Sequence, residues 1–123
     1  MLQYEIRNYS EIITPMIKGL AESGDLFFKL YLQSKVEITD SHVSPLLSDQ
    51  LSNMPPTLIA TTEFDYLKVE CEAYAAKLAR SGVPTKLIQY NGTNHVFMDK
   101  IGLYPQAEDL MSEIAKEMKR VFV

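Results

Sequence analysis

Two side chains in this sequence could together form a pair that moves a proton at neutral pH. One is His95, in the stretch QYNGTNHVFMDK (residues 89–100), between an Asn-Gly turn signal and an aromatic residue. The other is Asp65, in the stretch TTEFDYL. A carboxylate bonded to one ring nitrogen holds an imidazole in a single tautomer and stabilises its protonated form. The other nitrogen is then left to take a proton from a nucleophile. Loops commonly contain both residue types, and Asp65 has a second available role as the cap of a helix that starts beside it. The chemistry exists only if the fold brings the two groups into hydrogen-bond contact.

The elements that must do this are legible in the residues between them. In DYLKVECEAYAAKLARSG, residues 65–82, Cys71, Tyr74, Ala75 and Leu78 recur at helical spacing while Lys68, Glu72, Lys77 and Arg80 fall elsewhere. This predicts an amphipathic helix over about 67–81. Gly82 suits the left-handed residue that ends a helix, and Pro84 follows where a helix could not continue. On either side, PTLIATTEF and TKLIQY are short, rich in β-branched and aromatic residues and bounded by turn formers, which predicts strands over about 57–62 and 85–90. Strand, helix and strand joined by tight loops make a parallel βαβ unit of the α/β class. A last helix over about 105–121 carries Ala107, Leu110, Met111, Ile114, Met118 and Val121 on one stripe, and is expected to cover one face of the sheet.

In an open parallel sheet, catalytic groups collect at the carboxyl ends of the strands, where the strand-to-helix loops lie. Asp65 follows the first strand and His95 the second. Neighbouring strands lie about 4.8 Å apart, so two loops leaving the same end can bring a carboxylate within reach of an imidazole.

The first third reads differently. TPMIKGLAESGDLFFKLYLQSK, residues 14–35, suggests two short helices with Thr14 and Asp25 as N-caps. The polar, proline-containing VEITDSHVSPLLSDQLSNMPP is expected to run over the surface, with His42 as a surface loop residue.

Composition narrows the function classes. With 46% hydrophobic and 23% charged residues, the 123-residue chain is globular in character. The net charge of −4 comes from interspersed acids and bases, so nucleic acid is not an expected partner. Cys71 is the only cysteine, which excludes an intrachain disulfide and a paired-cysteine zinc site. It lies on the helix's apolar stripe and reads as a small buried side chain. No run of about 18 apolar residues is present to span a membrane. The N-terminus lacks a basic segment followed by an apolar one, and the expectation is a cytoplasmic protein.

The order of motifs from residue 43 onward resembles the C-terminal part of an α/β hydrolase of the hormone-sensitive-lipase-like esterase and lipase group. The motifs are Ser44-Pro45-Leu46, then Glu63, Asp65 and Leu67 at the end of a strand. Ala73-Tyr74 and Gly82-Val83-Pro84 follow on and after the helix, and Gly92, His95 and Phe97 after the second strand. The resemblance implies that residues 41–123 form the C-terminal βαβα part of such a domain and that residues 1–40 correspond to a helical cap. It implies carboxylic ester hydrolysis through a serine acyl-enzyme, with Asp65 as the triad acid and His95 as the triad base, no cofactor or metal, and a small-molecule ester as substrate. Apart from the resemblance, Glu63 and Glu70 read either as residues that orient the loops near the acid or as ordinary solvated charges.

The departures from the pattern are as informative. Val96 stands where the family usually has glycine after the histidine, and Val69-Glu70-Cys71 replaces a common Asp-Glu-Gly. The sequence contains no Gly-x-Ser-x-Gly and no His-Gly-Gly, so neither a nucleophile on a sharp turn nor oxyanion donors are supplied by known motifs. Ser23, Ser44 and Ser81 lie in unsuitable contexts. The chain is expected to be inactive alone. A two-stranded sheet is marginal in isolation, which predicts a homo-oligomer formed through its exposed edge or apolar face. The competing expectation is a non-catalytic remnant that acts through association.

Overall fold

The structure is a computed structural model that describes Leu26, residues 29–33 and residues 35–122. The chain divides into two units, Met1–Ser44 and Pro45–Val123. In the second unit a 3-10 turn at Pro45–Leu47 precedes strand β1 at Thr57–Phe64, helix α1 at Lys68–Arg80 and strand β2 at Thr85–Asn94. A second 3-10 turn at Phe97–Lys100 and helix α2 at Pro105–Phe122 follow. The expected βαβα order is present.

β1 and β2 pair in parallel. A parallel pair needs a crossover of roughly a dozen residues or more, and α1 with its two tight loops provides it. α1 stops where the sequence says it must. Gly82 has φ +83°, its N–H donates to Ala79 O, and the Val83 N–H donates to Leu78 O. These are the two bonds of a Schellman cap, and Val83 and Leu78 supply its apolar contact by sharing one core cluster.

Each face of the sheet is covered by one helix. On the α1 side, Leu51, Leu78 and Val83 are buried together, with Ile59 and Tyr74 packed against them. On the α2 side, Tyr90, Phe97, Ala107 and Leu110 are buried, with Ala60, Ile88, Met111 and Ile114 against them. Adjacent residues Ile59 and Ala60 therefore serve opposite faces, as the strand period requires. Burial on both faces also accounts for the continuous apolar run in β1.

Some expectations need correction. Both strands run past their predicted ends at 62 and 90, to Phe64 and Asn94. The apolar stripe of α2 is buried only through its first half, since Met118 is 54% and Val121 63% exposed. In the first unit, Leu26 and residues 29–32 are helical. The proposed caps Thr14 and Asp25 lie outside the described residues. His42 is a surface residue, as expected, with Nδ1 3.0 Å from Asp40 Oδ1.

Tyr90 links the sheet to α2. Its hydroxyl donates to Asp109 Oδ2 at 2.8 Å, and burial together with the Asp109 carboxylate pushes its pKa up to about 12. The folded value lies above the ordinary value of about 10. The associated stability is complete below about pH 10 and disappears as pH rises toward 12. Spectrophotometric titration is expected to show a tyrosinate step near pH 12 that Tyr90→Phe removes.

Candidate active site

The site depends on a break in strand register. From Thr57↔Thr85 to Thr62↔Tyr90 the partners are 28 positions apart, whereas Phe64 pairs with Asn94, 30 positions on. β2 has gained two residues over β1 within a few pairs. Asn91-Gly92, which the sequence suggested as a turn, lies inside this irregularity and not at a chain reversal. The glycine was legible for a sound reason, because Gly92 has φ +73°. The strand does not end there because Asn94 returns to pair with β1.

Side chains hold the extra residues. Glu63 Oε2 accepts the Gly92 N–H at 2.8 Å. Thr93, 1% exposed, donates its hydroxyl to Tyr90 O at 2.8 Å. From α2, Gln106 Nε2 donates to Asn91 O at 3.2 Å. Beyond the bulge the chain is anchored by Phe97, buried against the Tyr90 ring with centroids 5.1 Å apart. His95 is thus held between a clamped strand end and a buried aromatic.

The result is the predicted meeting of Asp65 and His95, with His95 Nδ1 2.8 Å from Asp65 Oδ2. The other carboxylate oxygen accepts the Leu67 N–H at 2.8 Å in the turn just before α1. The helix's N-cap is Leu67, with no side-chain cap bond, so Asp65 braces the approach to the helix and does not fill the expected capping role. Burial works against the Asp65 charge and is the largest single influence on it. The His95 and Leu67 hydrogen bonds, with smaller help from the His95 charge and the Thr62 hydroxyl, outweigh that penalty and hold the pKa below the usual carboxylate value. An ionised carboxylate has no hydrogen to give, so Nδ1–H is the donor and Nε2 carries the lone pair. The Asp65 side chain is 11% exposed and that of His95 51%. The acid is sheltered while the imidazole reaches solvent. The lowered pKa means that this pair's contribution to stability is present above about pH 4 and is lost as pH falls through the folded value.

Tyr66, which sequence reasoning did not single out, lies beside the imidazole, with ring centroids 6.1 Å apart and planes tilted by 31°. An aromatic residue directly after the acid was the available signal. Glu63 is brought into the site region, while Glu70 sits exposed in the first turn of α1. Cys71 is partly buried, and burial pushes its thiol pKa up, which suits the structural reading. The Ser44 and Ser81 hydroxyls donate to the carbonyls of Ile38 and Lys77. Ser23 lies outside the described residues. Among the described residues no group of His, Cys, Asp and Glu could hold a metal ion, and no helix is long and apolar enough to cross a membrane.

Residues 5–99 match the family described as the alpha/beta hydrolase fold. The chain belongs to the α/β hydrolase family. It is 32% identical to an arylesterase of Saccharolobus solfataricus, over 76% of this chain and 31% of that protein. It is 33% identical to the carboxylic ester hydrolase LipN of Mycobacterium tuberculosis, over 79% of this chain and 27% of that protein. Among solved structures, the hyperthermophilic esterase from the archaeon Pyrobaculum calidifontis superposes with a TM-score of 0.63 and 36% identity, covering 68% of this chain and 27% of that one. This α/β hydrolase chain therefore spans less than a third of the length of these relatives.

Valine at position 96, where the resemblance led to an expectation of glycine, has a visible cost. Val96 adopts φ 64°, ψ 25°, a left-handed conformation that disfavours any residue with a Cβ by roughly 1–2 kcal/mol. Glycine escapes that strain but loses more chain entropy on folding, by roughly 0.5–1 kcal/mol. Val96 is 49% exposed, so its removal opens no cavity. Val96→Gly is expected to raise the urea midpoint, corresponding to a gain of up to about 1.5 kcal/mol. A lowered midpoint would mean that Val96 makes contacts outweighing its backbone strain.

Proposed function

We propose that this chain is the acid-and-base part of a carboxylic ester hydrolase that works through a serine acyl-enzyme, with the nucleophile supplied by polypeptide outside these 123 residues. The observation that carries the reading is the 2.8 Å contact between His95 Nδ1 and Asp65 Oδ2, with the imidazole half-exposed. The esterase relatives support the reaction class.

In this mechanism a serine hydroxyl attacks the ester carbonyl while His95 Nε2 takes its proton. Asp65 keeps the ring in the Nδ1–H tautomer and stabilises the imidazolium. His95 then passes the proton to the departing alkoxide, which leaves as an alcohol. A water molecule attacks the acyl-enzyme with His95 again as base, and the acid product and free serine are released. No step requires a cofactor. Tyr66 forms one wall beside the imidazole.

A protein in which a Gly-x-Ser-x-Gly segment precedes Met1 in the same reading frame is expected to react with a fluorophosphonate and to hydrolyse short-chain aryl esters. His95→Ala should abolish turnover, and Asp65→Asn should lower it by about 10⁴. The 123-residue chain alone should do neither. Ester hydrolysis by that chain, abolished by His95→Ala, would place a nucleophile within it and overturn this division of labour.

A second reading is self-association, either as a property of the isolated chain or as the function of a non-catalytic remnant. It is favoured by an open groove lined by Pro56, Leu58, Met118, Val121 and Phe122 together with the charged Lys86, Glu117 and Arg120, beside a two-stranded sheet, which is marginal alone. The occupant proposed is a second copy of this chain. Sedimentation at micromolar concentration should show a dimer or larger species, and a well-folded monomer would sink the idea.

A further inference from the structure

The pairing register on which the site rests is secured by side chains that do not take part in the chemistry. Had the 28-residue offset of Thr57↔Thr85 continued past Thr62↔Tyr90, Asp65 would face Thr93. His95 would lie two residues farther along, about 6.6 Å away at strand spacing and out of hydrogen-bond reach. The two additional residues of β2 bring His95 level with Asp65. Thr93 ties the bulge to its own strand and Gln106 ties it to α2. Glu63 alone among these ties it to β1, the strand that leads directly into Asp65. We infer that Glu63 is a positioning residue: its carboxylate, by accepting the Gly92 N–H, fixes the two-residue bulge that aligns His95 with Asp65.

The chemistry of the contact sets the requirements. A backbone N–H in an irregular strand segment needs an acceptor, and at Gly92 the partner strand's side chain provides it in place of a partner-strand carbonyl. Gly92 is suited to the position by its φ of +73°, which L side chains rarely adopt. The role needs an oxygen acceptor at the end of a side chain of this length and does not need its charge. Glutamine should therefore replace glutamate, and alanine should not. Glu63 is exposed and belongs to neither core cluster, so its truncation leaves the packing intact.

The significance for catalysis rests on the ester-hydrolase reading, but the alignment can be measured without any substrate. In the full 123-residue chain, nitrogen-15 spectra of the histidine rings report the tautomer of His95. Wild type and Glu63→Gln are expected to hold the Nδ1–H form, with Asp65→Asn as the control that releases it. Glu63→Ala should move the ring toward the Nε2–H form that a histidine without a partner favours in water, and should shift the Gly92 amide while the Leu78 amide stays in place. In the complete enzyme the same substitution should lower kcat by about 10²-fold with little change in KM, and Glu63→Gln should restore it. A Glu63→Ala chain that keeps the wild-type tautomer would overturn the inference. So would a Glu63→Gln chain that loses it, since charge and not the acceptor would then be at work. Absence of ester hydrolysis in the complete protein would instead overturn the proposed reaction and leave the positioning role standing.

Discussion

Parallel pairing keeps two strands at a constant offset, and in this protein the Asp65–His95 hydrogen bond exists only because β2 departs from that rule. The offset changes from 28 to 30 between the Thr62 and Phe64 pairs, and the 2.8 Å contact follows at the next position on each chain. Everything near the carboxyl end of the sheet serves this irregularity or is aimed by it. Gly92 turns the backbone, Glu63 and Thr93 satisfy the groups left over, and Phe97 returns the chain to the core. Bulges of this kind re-aim side chains at functional sites because one or two extra residues change what stands opposite what, without disturbing the sheet below.

The site itself supplies little of the stability that holds it. His95, Glu63 and Tyr66 are exposed, and hydrogen bonds between exposed partners contribute modestly. Rigidity comes from the two apolar clusters on opposite faces of the sheet. Tyr90 and Phe97, buried on one face, bracket the six residues that form the bulge and present the imidazole. On the other face, Leu78 and Val83 fix where β2 begins. The left-handed backbone at Val96 is tolerated because its neighbours are fixed by these anchors, which leave the connecting residue no alternative path.

The division between sheltered acid and accessible base is what makes the pair chemically useful. Asp65 gives one oxygen to the imidazole and the other to the turn just before α1, so the carboxylate cannot rotate without losing a second bond. A neutral imidazole held by such a group has one tautomer and one free lone pair, on the ring nitrogen away from the carboxylate. The chain holds this pair on a βαβα scaffold, and it spans less than a third of the length of the arylesterase and the carboxylic ester hydrolase to which it is similar.

Much of this was legible from residue order. The periodicity of Cys71, Tyr74, Ala75 and Leu78 specified α1, Gly82 specified its end, and the apolar runs on either side specified two parallel strands. These are local signals: side-chain spacing, a glycine's access to positive φ and proline's missing N–H act within one or two turns of chain. The same local rules read Asn91-Gly92 as a turn past the end of the strand, because they report that φ is positive but not where the next residues pair. They also placed Met118 and Val121 in a core, since periodicity defines a stripe and does not say how far along it a partner extends. That Asp65 and His95 belonged at the same end of neighbouring strands followed from sequence order alone. That they touch did not, because contact depends on a two-residue change of register and a cross-strand bond from Glu63 to Gly92, which come into being only when β1 and β2 lie side by side.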